Sequence, residues 1–286
     1  MKKLDKEEEK IGRCALCDRE EIALMVSHSI PKFVYDWMKV TSPTPYLRDG
    51  DNVNEREQDG PKEHLLCADC ELCLSQMENE LSKRFFKKIA NYRNQAETIS
   101  ITESMRVGVL SIFWRALLTT ANRDRNLTQE DQALVSAFLA SAKEQIKSAK
   151  VTTKIYIAPF YGKPPFFGLP KQYTYLLDRL TGAQDIRFFD NPHRYFAVFK
   201  IPFMFFYIRS EGWADQPDPD AEFVGDLTLS KIQRIPDVLK NYIHKIVGDF
   251  NASSARMRPE IREQIRRDVS MHAHTTGSDK SADRSQ

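Results

Sequence analysis

A chain of 286 residues, 41% hydrophobic and 29% charged, can bury a sizeable core and is not a wholly disordered protein. Its 42 Lys plus Arg nearly balance 40 Asp plus Glu, a net charge of +2, so no global charge announces nucleic acid or a membrane surface. No apolar run approaches the ~18 residues of a membrane span. The charged start MKKLDKEEEK lacks the apolar core of a secretory signal. The cytoplasm is the expected compartment, with no membrane partner.

The first pattern along the chain is its cysteines. All five precede residue 74, and four form two CxxC pairs, CALC at 14–17 and CADC at 67–70. In a reducing compartment such pairs are not expected to be disulfides. Cys14, Cys17, Cys67 and Cys70 supply the four thiolates that a closed tetrahedral zinc site requires. Cys73, three residues into the helix that follows, reads as a spare thiol.

Between the pairs, IALMV at 22–26 fits one arm of a β-hairpin. SHSIPKFVYDWMK at 27–39 fits a helix entered through Pro31, with Phe33, Val34, Trp37 and Met38 on its buried face. Residues 40–63 read as a polar loop. ELCLSQMENELSKRFFKKIANY at 71–92 reads as a long helix carrying Lys83, Arg84, Lys87, Lys88 and Arg93, interleaved with Phe85, Phe86 and Tyr92. Such a basic, aromatic face can neutralise phosphates, so these lysines and arginines are candidate nucleic-acid contacts.

Further on, MRVGVLSIFWRALLTTA at 105–121 predicts a largely buried helix. Thr128, with Glu130 and Asp131, opens another that runs to about Lys150. KIYIAPF, YTYLLDRL, DIRFF, YFAVFKI and FMFFYIRS then predict an antiparallel, aromatic-rich sheet. Residues 229–250 return to helix near Pro236. From Asn251 the chain is polar; RMRPEIREQIRRD, bearing Arg256, Arg258, Arg262, Arg266 and Arg267, fits an arginine-rich helix, and about the last fifteen residues read as disordered. His193 reads as a turn residue and His244 as packing.

His28, in Ser-His-Ser-Ile-Pro, follows the first knuckle, and LLCADC at 65–70 opens the later helix. On CALC, His28 with Pro31, and LLCADC, the sequence resembles the HNH endonuclease superfamily, whose ββα-metal site is a treble clef. More narrowly, Ser-His-x-Ile-Pro-x-Phe, LLCxxCE and the later Trp114-Arg115 resemble an uncharacterised bacterial branch. The resemblance is specific over about residues 11–90 and silent beyond 125.

The resemblance implies a zinc-bound treble clef at 11–95; the periodicity and composition beyond it predict a helical and antiparallel-sheet domain at 100–250 and a polar, largely disordered tail at 251–286, an α+β fold as a whole. The first two are expected as separate cores joined through the helical stretch 71–125. It implies a catalytic pair, with His28 as general base and Glu71 as the helix-borne ligand of a Mg²⁺ or Mn²⁺ ion. Glu78 lies two turns along the same face. The implied activity is phosphodiester cleavage of DNA, less so RNA, in a setting such as bacterial phage defence. Ser27 stands where many relatives carry Asp or His, and Lys62 where many carry Asn. Asn52, Asn54 and His64 are substitutes if the 40–63 loop folds back. These departures keep a second reading open: a non-catalytic zinc module that binds nucleic acid or a protein partner.

Overall fold

The computed structural model describes residues 10–42, 44, 46–50, 52–91, 94–121, 127–160 and 167–271. The N-terminal sheet is built on β2 (Ile22–His28), flanked antiparallel by β1 (Lys10–Gly12) and β5 (Lys62–Cys67). Its register runs from Leu24 opposite Cys67 to His28 opposite Lys62, with a bulge between Met25 and Val26. The apolar run read as a hairpin arm is therefore the middle strand of three. After Pro31 comes α1 (Lys32–Val40), which buries Val34, Tyr35 and Met38 and packs Phe33 and Trp37 against the core. The 40–63 segment contains a short pairing of β3 (Leu47–Arg48) with β4 (Arg56–Glu57).

Helix α2 (Ala68–Leu81) starts directly after Cys67, passes through a π-helical turn at Ser82–Phe86, and ends in α3 (Lys87–Ile89). It does not continue into the next helix: β6 (Thr98–Ile101) intervenes before α4 (Glu103–Ala121). In α4, Val107, Leu110, Phe113 and Trp114 are all 2% exposed or less. Apolar on every side, α4 packs against α2, α5 (Gln129–Lys147) and the second sheet, as such a helix must. The opening of α5 is the predicted one. Thr128 and Asp131 form a reciprocal capping box that satisfies two otherwise orphaned N–H groups.

The second sheet has the order β7 (Tyr156–Pro159), β10 (Met204–Arg209), β9 (Arg194–Ile201), β8 (Gly182–Phe189), every pair antiparallel. Four of the five aromatic runs thus form strands. The fifth, YTYLLDRL, is a helix, α6 (Tyr173–Arg179). Its core-facing residues Tyr173, Leu176 and Leu177 follow a helical spacing, which overrides the strand preference of its aromatics. From the end of α6, Arg179 donates to Met38 O (2.7 Å) and Thr41 Oγ1 (2.9 Å), satisfying the C-terminal end of α1. Lys200 on β9 is fully buried, donating from Nζ to Leu180 O (2.6 Å) and Ile201 O (3.2 Å).

β11 (Gly225–Thr228) returns to pair with β6. A short 3₁₀ turn at Leu229–Lys231 precedes α7 (Asp237–Ala255), which begins after Pro236. In the tail, read overall as largely disordered, α7 runs to Ala255 and α8 (Pro259–Met271) follows where the arginine-rich helix is expected, so its described part is mostly helical. It is held by contacts to the 46–57 segment. Tyr46 Oη donates to Asp268 (2.5 Å), Arg56 pairs with Asp268 (3.6 Å), and Asn54 Oδ1 accepts the Arg258 N–H (2.9 Å). Residues 272–286, with His272 and His274, lie outside the described residues.

Aromatic rings join the cysteine-bearing segment to the second sheet. The Trp37 ring meets Phe86 (5.8 Å between centroids) and Phe203 (5.5 Å), and Phe85 meets Phe206 (5.8 Å) and Phe223 (5.2 Å). These contacts cross the boundary expected near residue 95, and one contiguous hydrophobic cluster includes both parts. Phe203 holds a left-handed φ of 67° in the β9–β10 turn, a costly conformation for an aromatic residue. Its complete burial against Trp37 retains it there. Among the described residues no helix is long and apolar enough to cross a membrane.

Candidate metal centre and the adjoining His28 site

The loop between β1 and β2 is a tight knuckle. Cys14 N donates to Arg19 O (2.8 Å) and Asp18 N to Cys14 O (3.0 Å), with Asp18 at a left-handed φ of 64°. This turn aims Cys14 and Cys17 at the junction of β5 and α2, where Cys67 and Cys70 stand. One ligand atom from each of the four cysteines lies within 4.8 Å of the others. Zn–S bonds of about 2.3 Å in a tetrahedron put sulfurs about 3.8 Å apart. The Cys17 and Cys67 sulfurs are 3.7 Å apart. The four cysteines could therefore hold a structural metal such as zinc, and their all-sulfur chemistry suits that ion. Cys73 is exposed and outside the cluster.

Two features favour thiolates here. Cys67 and Cys70 flank the start of α2, where unpaired N–H groups and the helix dipole favour negative charge. The second feature is Arg19, a residue the spacing of the cysteines does not reveal. Its Nε donates to Cys17 Sγ (3.3 Å), and its Nη2 reaches Cys67 Sγ (3.0 Å) and Asp69 Oδ2 (2.6 Å). Burial alone would raise the Cys17 thiol, but the side-chain and backbone hydrogen bonds of Arg19 outweigh it and bring Cys17 down to about 6. Burial among the other sulfurs pushes Cys70 up.

At the far end of β2, the two expected catalytic residues have different partners. Glu71, in the first turn of α2, accepts a 2.5 Å hydrogen bond from Ser27 Oγ. His28 comes next on the strand, and successive strand side chains leave on opposite faces. The carboxylate nearest His28 is Asp59: its Oδ2 lies 4.0 Å from Nε2, and that nitrogen has no hydrogen-bond partner among the described residues. Asp59 is held by Lys62 (3.0 Å) and Lys39 (3.2 Å), which keep its carboxyl below the usual range although burial opposes them. Burial pushes the His28 imidazole below its ordinary value near 6.5; Lys62 adds to this and Asp59 opposes it. His28 is thus a neutral imidazole at pH 7. Only the Asp-Gly turn in the 40–63 loop hinted that Asp59 would return to the sheet.

The remaining expected residues are dispersed. Asn54 accepts the N–H of Arg258, just ahead of α8, and His64 lies on β5 opposite Val26. Glu78 pairs through a short contact with the buried Arg115, whose Nε also donates to Ser111 O (3.3 Å). Lys83, Arg84, Lys87 and Lys88 are exposed on the π-helical turn and α3, while Phe85 and Phe86 between them point into the core. Arg84 pairs with Glu80 (3.1 Å). Tyr92 and Arg93 lie outside the described residues. His193 is more than a turn residue: its Nε2 is 3.0 Å from Asp131, and its Nδ1 is 3.0 Å from Asp190. No family model, no curated protein and no solved structure matches this chain.

Proposed function

We propose that this chain is a zinc-stabilised protein of HNH-like, treble-clef type whose N-terminal site cleaves phosphodiester bonds, in DNA rather than RNA. The observation that carries the reading is the joint made by the four cysteines. They tie the knuckle before β2 to the first turn of α2, beside which the Ser27–Glu71 contact lies; at the far end of β2, His28 Nε2 has no hydrogen-bond partner among the described residues. In this reading the neutral His28 takes the proton from an attacking water, the role of a general base. Lys62 and Lys39, beside it, offer N–H donors to a phosphate. Glu71 supplies the one carboxylate that a Mg²⁺ or Mn²⁺ ion usually requires alongside substrate phosphate. Bound there, such an ion would neutralise charge on the leaving oxygen. The exposed basic residues Lys83, Arg84, Lys87 and Lys88 extend the backbone-binding surface. A place in bacterial phage defence follows from the resemblance alone.

A second reading has its own observation in favour. Both carboxylates that could serve the site are already engaged, Glu71 by Ser27 on the strand face opposite His28 and Asp59 by two lysines. That arrangement suits a binding module without chemistry, directed at nucleic acid or at a protein. One experiment separates the two. Purified protein is incubated with supercoiled plasmid and with RNA in Mg²⁺ or Mn²⁺, alongside filter binding of the same substrates. Nicking of plasmid that is lost in His28→Ala, with binding retained, supports the nuclease. Binding without cleavage by the parent protein overturns it in favour of the module.

A further inference from the structure

The four sulfurs of the metal centre are not equivalent in what surrounds them. Cys17 accepts from the side chain and backbone N–H of Arg19, and Cys67 accepts from the same guanidinium. Cys14 is fully buried and accepts the Cys67 backbone N–H at 3.4 Å. Cys67 is buried like Cys14, whereas Cys17 and Cys70 are both half-buried; of these two, only Cys70 has a sulfur that no N–H donor reaches among the described residues. A guanidinium is planar, permanently charged and able to serve several acceptors at once, and here it spans two ligands and Asp69. Four thiolates around a divalent ion leave an excess of two negative charges. Arg19 offsets one of them, on one side of the cluster only.

We propose that Arg19 is the outer-shell clamp of the metal centre, and that its one-sided placement leaves Cys70 as the sulfur through which the bound ion is lost. The inference rests on the four-cysteine metal site and not on the nuclease. A hydrogen bond to a metal-bound thiolate withdraws electron density from sulfur, lowering its nucleophilicity while strengthening the site's hold on the ion. Cys70, without that bond and within reach of solvent, keeps its nucleophilicity. An electrophile then reacts in a defined order. With a maleimide, the Cys70 sulfur forms a bond to one alkene carbon, the Zn–S bond breaks, and the other carbon takes a proton from water. The thioether left on Cys70 is a poor zinc ligand, and the three remaining thiolates hold the ion far less tightly.

The test uses the full chain loaded with one equivalent of zinc. N-ethylmaleimide is added in limiting amount, modified residues are mapped by mass spectrometry, and released zinc is read with a chromogenic chelator. Cys73 serves as an internal reference: it is exposed and outside the cluster, so it reacts first and releases no zinc. The expected next event is modification of Cys70 coincident with zinc release, ahead of Cys17 and Cys67. Chelator competition with Arg19→Gln should weaken zinc binding by about 10–100-fold. Arg19→Lys should recover part of that loss, since it keeps the charge without the fork. In the Gln variant, Cys17, half-buried like Cys70, should react together with it, while the buried Cys14 and Cys67 lag behind. Labelling of Cys17 or Cys67 no later than Cys70 in the parent overturns the proposal, and so does unchanged affinity in Arg19→Gln. The parent's labelling order decides alone if that variant does not fold. A parent protein that takes up no zinc overturns the metal site itself, which separates the two failures.

Discussion

Lys200 sits where water does not reach, in the middle of the aromatic sheet, and replacing it with Met should change how stability depends on pH. Burial lowers the pKa of its ammonium from the ordinary lysine value near 10.5 to about 7, against the opposing pull of Asp178. That depression corresponds to about 5 kcal/mol of penalty on the charged form. Below pH 7 the lysine is charged in both folded and unfolded chains, and the folded state bears the full penalty. Between pH 7 and 10.5 the unfolded chain binds the extra proton, so stability rises with pH across that window. Lys200→Met, close in volume, removes the titration. It also leaves the carbonyls of Leu180 and Ile201 without this donor, costing about 1–3 kcal/mol each where no other partner serves them, independent of pH. The two effects therefore separate in urea unfolding at pH 6, 8 and 10. The stability of the variant relative to the parent should fall by several kcal/mol from pH 6 to pH 10. A constant difference across that range would refute the placement of a charged, water-excluded lysine.

Two further outcomes test the His28 site. A Cβ on Gly60 would fall 1.7 Å from Tyr35 Oη, so Gly60→Ala must displace a buried ring or the turn that carries Asp59. It should cost about 1–3 kcal/mol in denaturant unfolding; a variant as stable as the parent would mean that the turn does not abut Tyr35. The His28 imidazole should titrate by NMR below 6.5, because burial and Lys62 outweigh Asp59. Asp59→Asn, which removes the one opposing charge, should lower that midpoint further, and a rise would contradict the geometry.

The sequence made legible what rests on local chemistry. The two CxxC knuckles, the Pro31 and Pro236 helix starts and the Thr128–Asp131 capping box each depend on neighbours within a few positions, and the structure holds them where spacing indicates. What escaped depends on distant partners. YTYLLDRL has strand composition, yet packs as α6 because Leu177 and its helical neighbours find the core and Arg179 finds the end of α1. β6 and β11 are each four residues long and meaningful only once paired. Asp59 reaches His28 from a loop of unremarkable polar composition. Arg19 looks like any surface arginine until the fold brings Cys67 to it. The arginine-rich helix after 251 is legible in its pattern, but its anchorage is not: it rests on polar contacts to residues 46–57.

That last anchorage bears on the order of events during synthesis. Tyr46 and Asp268 are separated by 222 positions in the chain. At ribosomal rates of about 5–20 residues per second, Asp268 emerges on the order of 10–45 s after Tyr46. For most of that interval both CxxC pairs are available to capture an ion, whereas the 46–57 segment has yet to meet its partner. The nascent chain thus passes through a stage with a complete set of thiolates and an unanchored 46–57 segment. The metal would be acquired early, and the 46–57 segment anchored only as α8 arrives.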